Sequence, residues 1–472
     1  MMLWTASEAA AATGGRAIGD WSVNGVSIDT RTIAPGDLFV ALKAARDGHD
    51  FVAQALEAGA GAALVSRIPE GVAQDASLLL VEDVLTGLEA LGRAARARSK
   101  AKVVAVTGSV GKTSTKEMLR TVLGAQGRVH AAEKSYNNHW GVPLTLARMP
   151  VDAEFAVIEI GMNHPGEISP LAKMAQPDVA MITIVAPAHL AAFDGLEGIA
   201  REKAAIFDGL EPGGVAVING DLEVSPILDK AARAQTANII RFGEAEGNDH
   251  QLTDVSIRDT CTVAQGVAAG APVLFKVMAP GRHFATNAMG ALGVVTALDL
   301  DLAMATTALG QWSAGAGRGA REIIALDAVD LSLSVELIDD AYNSNPASLT
   351  ASLEVLAAAE PKQAGRRIAY LGDMAELGET EQELHAQIAE LPSMEKVDQV
   401  HCVGPLMQGL WQRLPAHQQG RWCATSDEMT AGVAQDMGAA DVVLVKGSLS
   451  MKMARVVDAI RKMGQSPAER DG

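Results

Sequence analysis

Cysteine and positive charge are both scarce in this sequence. Its 472 residues include three cysteines, Cys261, Cys402 and Cys423. Three widely spaced cysteines fit neither a disulfide framework nor a zinc site, so a reducing compartment is expected. Acidic residues number 57 against 39 basic ones, and the net charge is −18. That balance argues against a nucleic-acid partner and against binding to anionic membranes.

Long apolar runs are missing as well. No uninterrupted apolar segment is long enough to span a bilayer, and residues 1–8 lack the basic and apolar regions of a secretory signal. Hydrophobic residues make up 48% and charged residues 20% of the chain, which is ordinary for a soluble globular protein. We therefore expect a cytoplasmic protein of about three domains.

A strand, a glycine-flanked loop and a helix follow one another at residues 103–123. Glycines let backbone N–H groups close on phosphate oxygens, and the new helix directs its positive end to the same place. Lys112 would reach the β- and γ-phosphates, and the Thr113 hydroxyl would bind Mg²⁺. The pattern predicts ATP or GTP binding by a loop of eight residues: Thr107, Gly108, Ser109, Val110, Gly111, Lys112, Thr113 and Ser114.

The loop departs from the full Walker A pattern, because Val106 stands where the first glycine is expected. A tight strand-to-helix turn with a chance Gly-Lys-Thr is the alternative interpretation. The preceding strand and the following helix favour the phosphate loop.

A single carboxylate, Glu159, stands near the C-terminal end of the next apolar strand, at 155–161. Ligands of open α/β sheets bind at that edge, and a buried charge without a partner is costly. Mg²⁺ beside a triphosphate would be such a partner, and a salt-bridged structural glutamate is the alternative. His189 follows the next strand, so we expect it at the same edge. Taken alone, His189 is more often structural and Lys203 more often a solvated helix lysine.

Three α/β units are expected, at residues 1–97, 98–314 and 315–472. The last unit alternates strands, at 331–338, 367–371, 399–403 and 442–445, with helices. This alternation predicts a mainly parallel sheet covered on both faces. The glycine-rich segment 315–319 precedes a strand, so we interpret it as an interdomain hinge.

Motifs along nearly the whole chain resemble the Mur ligases, the ATP-dependent amide-forming enzymes of peptidoglycan precursor synthesis. The short phosphate loop is similar to that of the family, which accounts for the missing first glycine. The resemblance also rests on the runs at 29–31, 47–51, 137–146, 159–168, 185–190, 339–346, 371–378 and 445–448.

The resemblance implies a small α/β N-terminal domain for the UDP end of the substrate, a central P-loop ATPase domain with a parallel sheet, and a C-terminal Rossmann-like domain. The implied reaction joins D-alanyl-D-alanine to UDP-N-acetylmuramoyl-tripeptide through an acyl phosphate, with ATP and Mg²⁺. A monomer is expected.

The resemblance also implies residue roles. Lys112, His189 and Lys203 would act in the chemistry, the last as a carbamate. The Mg²⁺ ligands would be Thr113, Glu159, His189 and Lys203. The adenine nucleotide would contact Asn287, Arg318 and Asp340. The UDP-linked substrate would contact Asp29, Thr30, Arg31 and Asn138.

This sequence departs from the family at three places. Phe284 stands where many relatives have the first of two asparagines, Ala204-Ala205 follow Lys203 where Gly-Glu is frequent, and His139-Trp140 replace an acidic–apolar pair. None of these removes a residue on which the chemistry depends.

Two alternatives stay open. A related amide ligase, such as folylpolyglutamate synthase or another Mur ligase, would share the central domain, although the runs at 339–346 and 371–378 argue against it. A P-loop switch or binding protein would hydrolyse nucleotide without a peptide acceptor.

Overall fold

The first sheet lies near the N-terminus. The structure is a computed structural model that describes residues 2–188, 190–330 and 332–465. The five strands pair in the order β2-β7-β6-β5-β4, and only β2 is antiparallel to its neighbour. A two-stranded ribbon of β1 and β3 lies beside them. The elements are β1 (Trp4–Thr5), α1 (Ala6–Thr13), β2 (Arg16–Ile18), β3 (Ser22–Val23), β4 (Gly25–Ser27), β5 (Asp37–Val40), α2 (Val52–Glu57), β6 (Ala62–Val65), β7 (Leu78–Leu80) and α3 (Val84–Arg98).

The second sheet has nine strands in the order β16-β15-β14-β13-β12-β11-β8-β10-β9. All neighbours are parallel except in the β14–β15–β16 meander. The elements are β8 (Lys102–Thr107), α4 (Lys112–Gly124), β9 (Val129–Ala131), α5 (Gly141–Ala147), β10 (Phe155–Glu159), α6 (Ile168–Ala175), β11 (Val179–Ile182), α7 (Gly195–Ala204), β12 (Val215–Asn219), α8 (Ser225–Gln235), β13 (Asn238–Gly243), β14 (His250–Ile257), β15 (Thr262–Ala268), β16 (Ala271–Val277), α9 (Arg282–Ala297) and α10 (Leu302–Leu309).

Two apolar clusters cover the faces of this sheet. Helices α5 to α8 pack on one face, and α4, α9 and α10 pack on the other. The central strands are buried on both sides, which explains their continuous apolar runs. Because β8, β10 and β11 are parallel and in register, Thr107, Glu159 and Thr183 come to one edge of the sheet.

The third sheet has six strands in the order β17-β18-β22-β19-β20-β21, and only β17 is antiparallel to its neighbour. Helices α11 to α13 lie on one face and α14 to α16 on the other. The elements are β17 (Ala320–Ala325), β18 (Ser334–Asp340), α11 (Pro346–Ala358), β19 (Arg367–Gly372), α12 (Glu381–Ala386), β20 (Gln399–Val403), α13 (Met407–Arg413), β21 (Gln419–Cys423), α14 (Ser426–Thr430), α15 (Val433–Asp436), β22 (Val442–Lys446) and α16 (Ala454–Arg461).

The predicted α/β class is confirmed, with differences in detail. Strand β18 ends two residues later than the sequence pattern indicated, and so carries Asp339 and Asp340 within the strand. The sequence pattern predicts the last helix over 451–463, whereas the observed helix begins at Ala454, after a short turn, and ends at Arg461. Strands β17 and β21 were not predicted. Among the described residues, no helix is both long and apolar enough to cross a membrane.

Candidate active site

The loop between β8 and α4 is anchored to the segment that follows β11. The backbone N–H of Ser109 donates to the Ile184 carbonyl at 2.7 Å, and the Ser109 hydroxyl donates to the Ala186 carbonyl at 2.8 Å. The Thr183 hydroxyl donates to the Val110 carbonyl at 2.6 Å. The loop is anchored to this segment by the Ser109 N–H and by serine and threonine hydroxyls, and the backbone N–H groups of its glycines and of Lys112 take no part in these three bonds.

Gly111 is the N-cap of α4 and needs to be glycine. Its φ is +84°, and no side chain caps the helix there. A Cβ at this position would lie 2.7 Å from the Asn287 amide nitrogen on α9. The first N–H groups of a helix lack intrahelical partners and carry its partial positive charge. The loop therefore presents an anion site that a side chain would fill.

Lys112 begins α4, and its ammonium donates to the Gly108 carbonyl at 2.7 Å. Burial lowers the pKa of Lys112, the nearby Glu159 carboxylate opposes that shift, and the Arg318 guanidinium adds to it. Two cations therefore repel one another across the loop. A polyanion bound between them would relieve this repulsion.

Glu159 lies at the end of β10 and is 2% exposed. Its carboxylate accepts hydrogen bonds from the Thr113 hydroxyl, at 2.9 and 3.0 Å, and from the Asn137 amide, at 2.7 Å. The Thr113 hydroxyl also lies 2.8 Å from the Ser135 hydroxyl. The carboxylate thus has hydrogen-bond partners and no cationic side chain within ion-pair distance among the described residues.

The donor atoms at this edge fit Mg²⁺. A carboxylate and a hydroxyl are the hard oxygen ligands that Mg²⁺ takes, usually with substrate phosphates completing its shell. The described residues contain no group of three or more His, Cys, Asp or Glu side chains able to hold a metal by themselves. Thr113 and Glu159 therefore suit a metal that arrives with a phosphate.

Lys203, on α7, is 1% exposed. Among the described residues, none forms a hydrogen bond or an ion pair with its ammonium. Burial is the main cause that holds the pKa of Lys203 well below its usual value, Lys112 lowers it further, and Glu202 opposes the shift. A lysine in this setting favours the neutral amine. The prediction for His189 falls on a position outside the described residues.

The third sheet supplies the opposite wall. At the end of β18, Asp340 accepts a hydrogen bond from the Lys446 ammonium at 2.7 Å and a short one from the Ser352 hydroxyl. Lys446 is 2% exposed and also donates to the Asn343 carbonyl at 3.1 Å. The Arg318 guanidinium lies 4.2 Å from the centroid of the Tyr342 ring. Such stacking is a cation–π contact.

His283, at the start of α9, lies between the two walls. Burial lowers its pKa to about 4, Asp340 opposes the shift and Lys446 adds to it. Its ring lies 4.0 Å from that of Phe284, centroid to centroid. His283 is therefore a neutral, planar group at physiological pH.

These walls enclose a cavity of about 410 Å³. The predicted residues that line it are Ser109, Val110, Gly111, Lys112, Thr113, Ser114, Asn138, Glu159, Asn287, Arg318 and Asp340. Thr107 and Lys203 are buried and do not line it, although Lys203 feels the charge of Lys112. Gly108 is also outside the lining, and its carbonyl accepts from the Lys112 ammonium. Asp29, Thr30 and Arg31 lie in the first α/β unit, outside the lining.

Asp29, Thr30 and Arg31 follow strand β4. The Arg31 guanidinium donates to the Asp29 carboxylate at 2.6 and 2.9 Å and lowers the Asp29 pKa to about 2. Lys134, on the segment after β9, contributes to the same shift. The side-chain amide oxygen (Oδ1) of Asn138 accepts from the Gly141 N–H at 2.9 Å, which holds the start of α5.

Sequence reasoning left out several residues of the cavity. Lys446 ends an apolar strand as Glu159 does, so the argument that located Glu159 would have found it. Asn137 is one residue from a predicted contact. Nothing in the local pattern marked Ser135, Tyr342 or His283.

Three family models match the chain along its length. They are the Mur ligase family catalytic domain at residues 22–120, the Mur ligase middle domain at 106–295, and the Mur ligase glutamate ligase domain at 327–449. A curated relative from Bacillus subtilis (strain 168), UDP-N-acetylmuramoyl-tripeptide–D-alanyl-D-alanine ligase, is 34% identical over 92% of this chain and 92% of its own. The chain belongs to the Mur ligase family.

Solved structures agree with this assignment. The structure of MurF from Acinetobacter baumannii matches with a TM-score of 0.82 and 29% identity, over 97% of this chain and 99% of that one. MurF ligase from Thermotoga maritima in complex with ADP matches with a TM-score of 0.76 and 27% identity, over 93% of this chain and 98% of that one. The resemblance seen in the sequence of this Mur ligase is confirmed.

Proposed function

We propose that this chain is an ATP-dependent ligase that adds D-alanyl-D-alanine to UDP-N-acetylmuramoyl-tripeptide in peptidoglycan precursor synthesis. The proposed substrates are those in the names of the relatives, UDP-N-acetylmuramoyl-tripeptide–D-alanyl-D-alanine ligases. The observation that carries the proposal is the cationic phosphate loop facing Asp340 and Lys446 across one cavity, because this arrangement suits a nucleoside triphosphate held between two units.

The proposed reaction has two steps. The terminal carboxylate of the tripeptide attacks the γ-phosphorus of ATP, which gives an acyl phosphate and ADP. The amine of the dipeptide then attacks the acyl carbon, loses a proton and expels phosphate, which leaves a new amide. Two anions approach in the first step, so fixed positive groups must offset their repulsion. Lys112 and the N-terminus of α4 supply such groups.

Mg²⁺, when bound, would neutralise phosphate charge and orient the γ-phosphate. We propose Thr113 and Glu159 as its ligands, together with His189 and a carbamylated Lys203, whose roles rest on the family resemblance. Asn287, Arg318 and Asp340 are proposed to hold the adenine nucleotide. Of these, Asn287 lies against the phosphate loop at Gly111.

The three proposed units divide the work. Residues 1–97 would bind the UDP end through Asp29, Thr30 and Arg31, with Asn138 nearby on the central unit. Residues 98–314 would bind ATP. Residues 315–472 would bind the dipeptide and close over the ATP. This closure would exclude water and so protect the acyl phosphate from hydrolysis. We propose that the protein acts as a monomer in the cytoplasm.

One experiment separates this function from the alternatives. Phosphate release is measured with ATP and Mg²⁺ alone, with each co-substrate added singly, and with both. The proposed ligase should release phosphate at its full rate only when UDP-N-acetylmuramoyl-tripeptide and D-alanyl-D-alanine are both present. A nucleotide switch would release phosphate without them. A ligase of another specificity, such as a folylpolyglutamate synthase, would require a different acceptor.

A further inference from the structure

Four side chains form an unbroken series of hydrogen bonds across the cavity. The Arg318 guanidinium donates to the Ser135 hydroxyl at 2.8 Å, and the Ser135 hydroxyl lies 2.8 Å from that of Thr113. The Thr113 hydroxyl reaches both oxygens of Glu159, at 2.9 and 3.0 Å. The series joins the glycine-rich segment before β17 to the start of α4 and the end of β10.

The direction of every bond in this series is fixed by its two ends. An arginine can only donate, and an ionised carboxylate can only accept. Thr113 has one proton, which goes to Glu159, so Ser135 must donate its own proton to Thr113 and accept from Arg318. Bonds aligned in this way polarise one another and strengthen the series. The Thr113 oxygen then has one lone pair without a partner. The direction of that lone pair is fixed, because the bond to Glu159 and the bond from Ser135 together orient the hydroxyl.

Arg318 belongs structurally to the third sheet, whereas Ser135 belongs to the second. The Gly319 N–H donates to the Asp339 carbonyl at 2.8 Å, and the Tyr342 N–H donates to the Gly317 carbonyl at 3.1 Å. These bonds tie the segment around Arg318 to the end of β18. The bond between Arg318 and Ser135 therefore exists only while the third sheet faces the phosphate loop.

We propose that Ser135 is a positioning residue that links the seating of Arg318 to the orientation of the Thr113 hydroxyl. Closure of the third unit over the cavity thereby completes the alignment of the Thr113 oxygen. Without Arg318 in place, the Ser135 hydroxyl is free to rotate and to leave Thr113 without its donor. This inference rests on the proposed ligase function.

The test compares Ser135→Ala with Ser135→Thr, which keeps the hydroxyl, and with a matched control. Ser169→Ala removes a single 2.7 Å hydrogen bond to Asp208 outside the cavity lining. Ser135 is half-buried, so removal of its hydroxyl leaves no cavity in a core. Melting temperatures of all three variants should lie close to that of the wild type.

The first readout needs no nucleotide. Amide hydrogen exchange of peptides covering 133–139 and 315–319 should be faster in Ser135→Ala than in the wild type, and unchanged in Ser169→Ala. The second readout is ADP binding with and without Mg²⁺. Partners that orient metal ligands typically change metal affinity by 10- to 100-fold. The factor by which Mg²⁺ tightens ADP binding should therefore fall about tenfold in Ser135→Ala.

Steady-state ligation gives the third readout. Ser135→Ala should lower kcat on the order of tenfold and change the KM for ATP by less than about threefold, and Ser135→Thr should restore most of kcat. In a double-mutant cycle, Ser135→Ala and Arg318→Lys together should lower kcat by much less than the product of their separate effects, because both substitutions break the same series of hydrogen bonds. Lysine loses the planar fork and the stacking on Tyr342.

Any one of three outcomes overturns the inference. In the first, Ser135→Ala equals Ser169→Ala both in amide exchange and in the factor by which Mg²⁺ tightens ADP binding. In the second, Ser135→Thr fails to restore the kcat that Ser135→Ala loses, and in the third, the effects of Ser135→Ala and Arg318→Lys on kcat multiply in the double mutant. The proposed function has a separate test. If the wild type does not need both co-substrates for phosphate release, the ligase assignment fails, whatever Ser135 does.

Discussion

Replacing Lys203 with methionine is expected to stabilise the nucleotide-free protein near neutral pH. The Lys203 side chain is 1% exposed, and no hydrogen bond reaches its ammonium from any described residue. Burial, aided by Lys112, holds its pKa well below the usual value. Methionine keeps an unbranched apolar stem of similar length and carries no charge. The unfolded chain, in contrast, exposes the lysine to water and lets it take up a proton.

Proton linkage gives the size of the effect. An unfolded lysine titrates near ~10.4, so between the folded pKa and that value the unfolded chain binds one more proton than the folded chain. The free energy of unfolding therefore rises by about 1.4 kcal/mol per pH unit across this window, and this contribution is lost as the pH falls. Because burial holds the pKa of Lys203 well below its usual value in the folded protein, Lys203 lowers the free energy of unfolding by an amount that grows as the pH falls through this window.

The assay is urea unfolding without nucleotide in buffers freed of CO₂, from about pH 7 to about pH 9, extrapolated to zero denaturant. Lys203→Met should be more stable than the wild type, and its advantage should shrink as the pH rises. Lys173→Met, at an exposed position on α6, is the matched control and should change little. A stability difference that is independent of pH, or a less stable Lys203→Met, would refute the reasoning.

The same amine can take up CO₂. Addition of CO₂ to the neutral amine forms an N–C bond, releases a proton and gives a carbamate anion beside Lys112, with two oxygens that suit Mg²⁺. Bicarbonate should therefore stabilise the wild type and leave Lys203→Met unchanged. Lys203→Ala should be nearly inactive and be partly rescued by small carboxylates, whereas the bulk and fixed charge of Lys203→Arg prevent rescue. Full activity of Lys203→Ala without additives rules the carbamate out.

Three further substitutions test the cavity. Lys112→Ala should lower the ligation rate on the order of 10²–10³ with little change in melting temperature, and a rate within about threefold of wild type contradicts the phosphate loop. Glu159→Gln should raise the Mg²⁺ concentration for half-maximal activity, so an unchanged Mg²⁺ titration would make Glu159 structural. Gly111→Ala should weaken ADP binding in calorimetry, because its Cβ meets Asn287. Unaltered affinity would show that the loop adapts.

The sequence predicted the architecture well where the spacing of apolar residues and the positions of glycine residues indicate the same element bounds. The run 103–107, followed by two glycines, predicted a strand, a loop and a helix over 113–123, and the structure extends this helix by one residue at each end. The strand that carries Glu159 was predicted as clearly from its apolar run. The carboxylate within that run indicated a functional position, because a buried charge needs a partner. Strands β17 and β21 were missed because edge strands carry mixed polar and apolar residues that fit no strict alternation.

Local sequence pattern predicted the cavity only from the side of the second sheet, and Arg318 and Asp340 were expected through the family resemblance alone. Local pattern locates residues relative to their own strand, but Ser135 and Arg318 meet across 183 positions of sequence. Their contact depends on how two sheets are placed against each other, and no periodicity within either segment encodes that placement. Tyr342 becomes meaningful for the same reason, since only the fold brings its ring under Arg318.

The electrostatics of the site connect its stability with its proposed task. Burial and, after it, Lys112 lower the pKa of Lys203. Burial is also the main cause that lowers the pKa of Lys112, where Glu159 opposes the shift and Arg318 adds to it. While the site lacks anions, the positive charges of Lys112 and Arg318 oppose one another. A triphosphate and a carbamate both bring negative charge to it. Ligand binding should therefore raise the free energy of unfolding by more than the new protein–ligand contacts alone would, because it also offsets the repulsion between these cations. The same repulsion makes the ligand-free protein less stable.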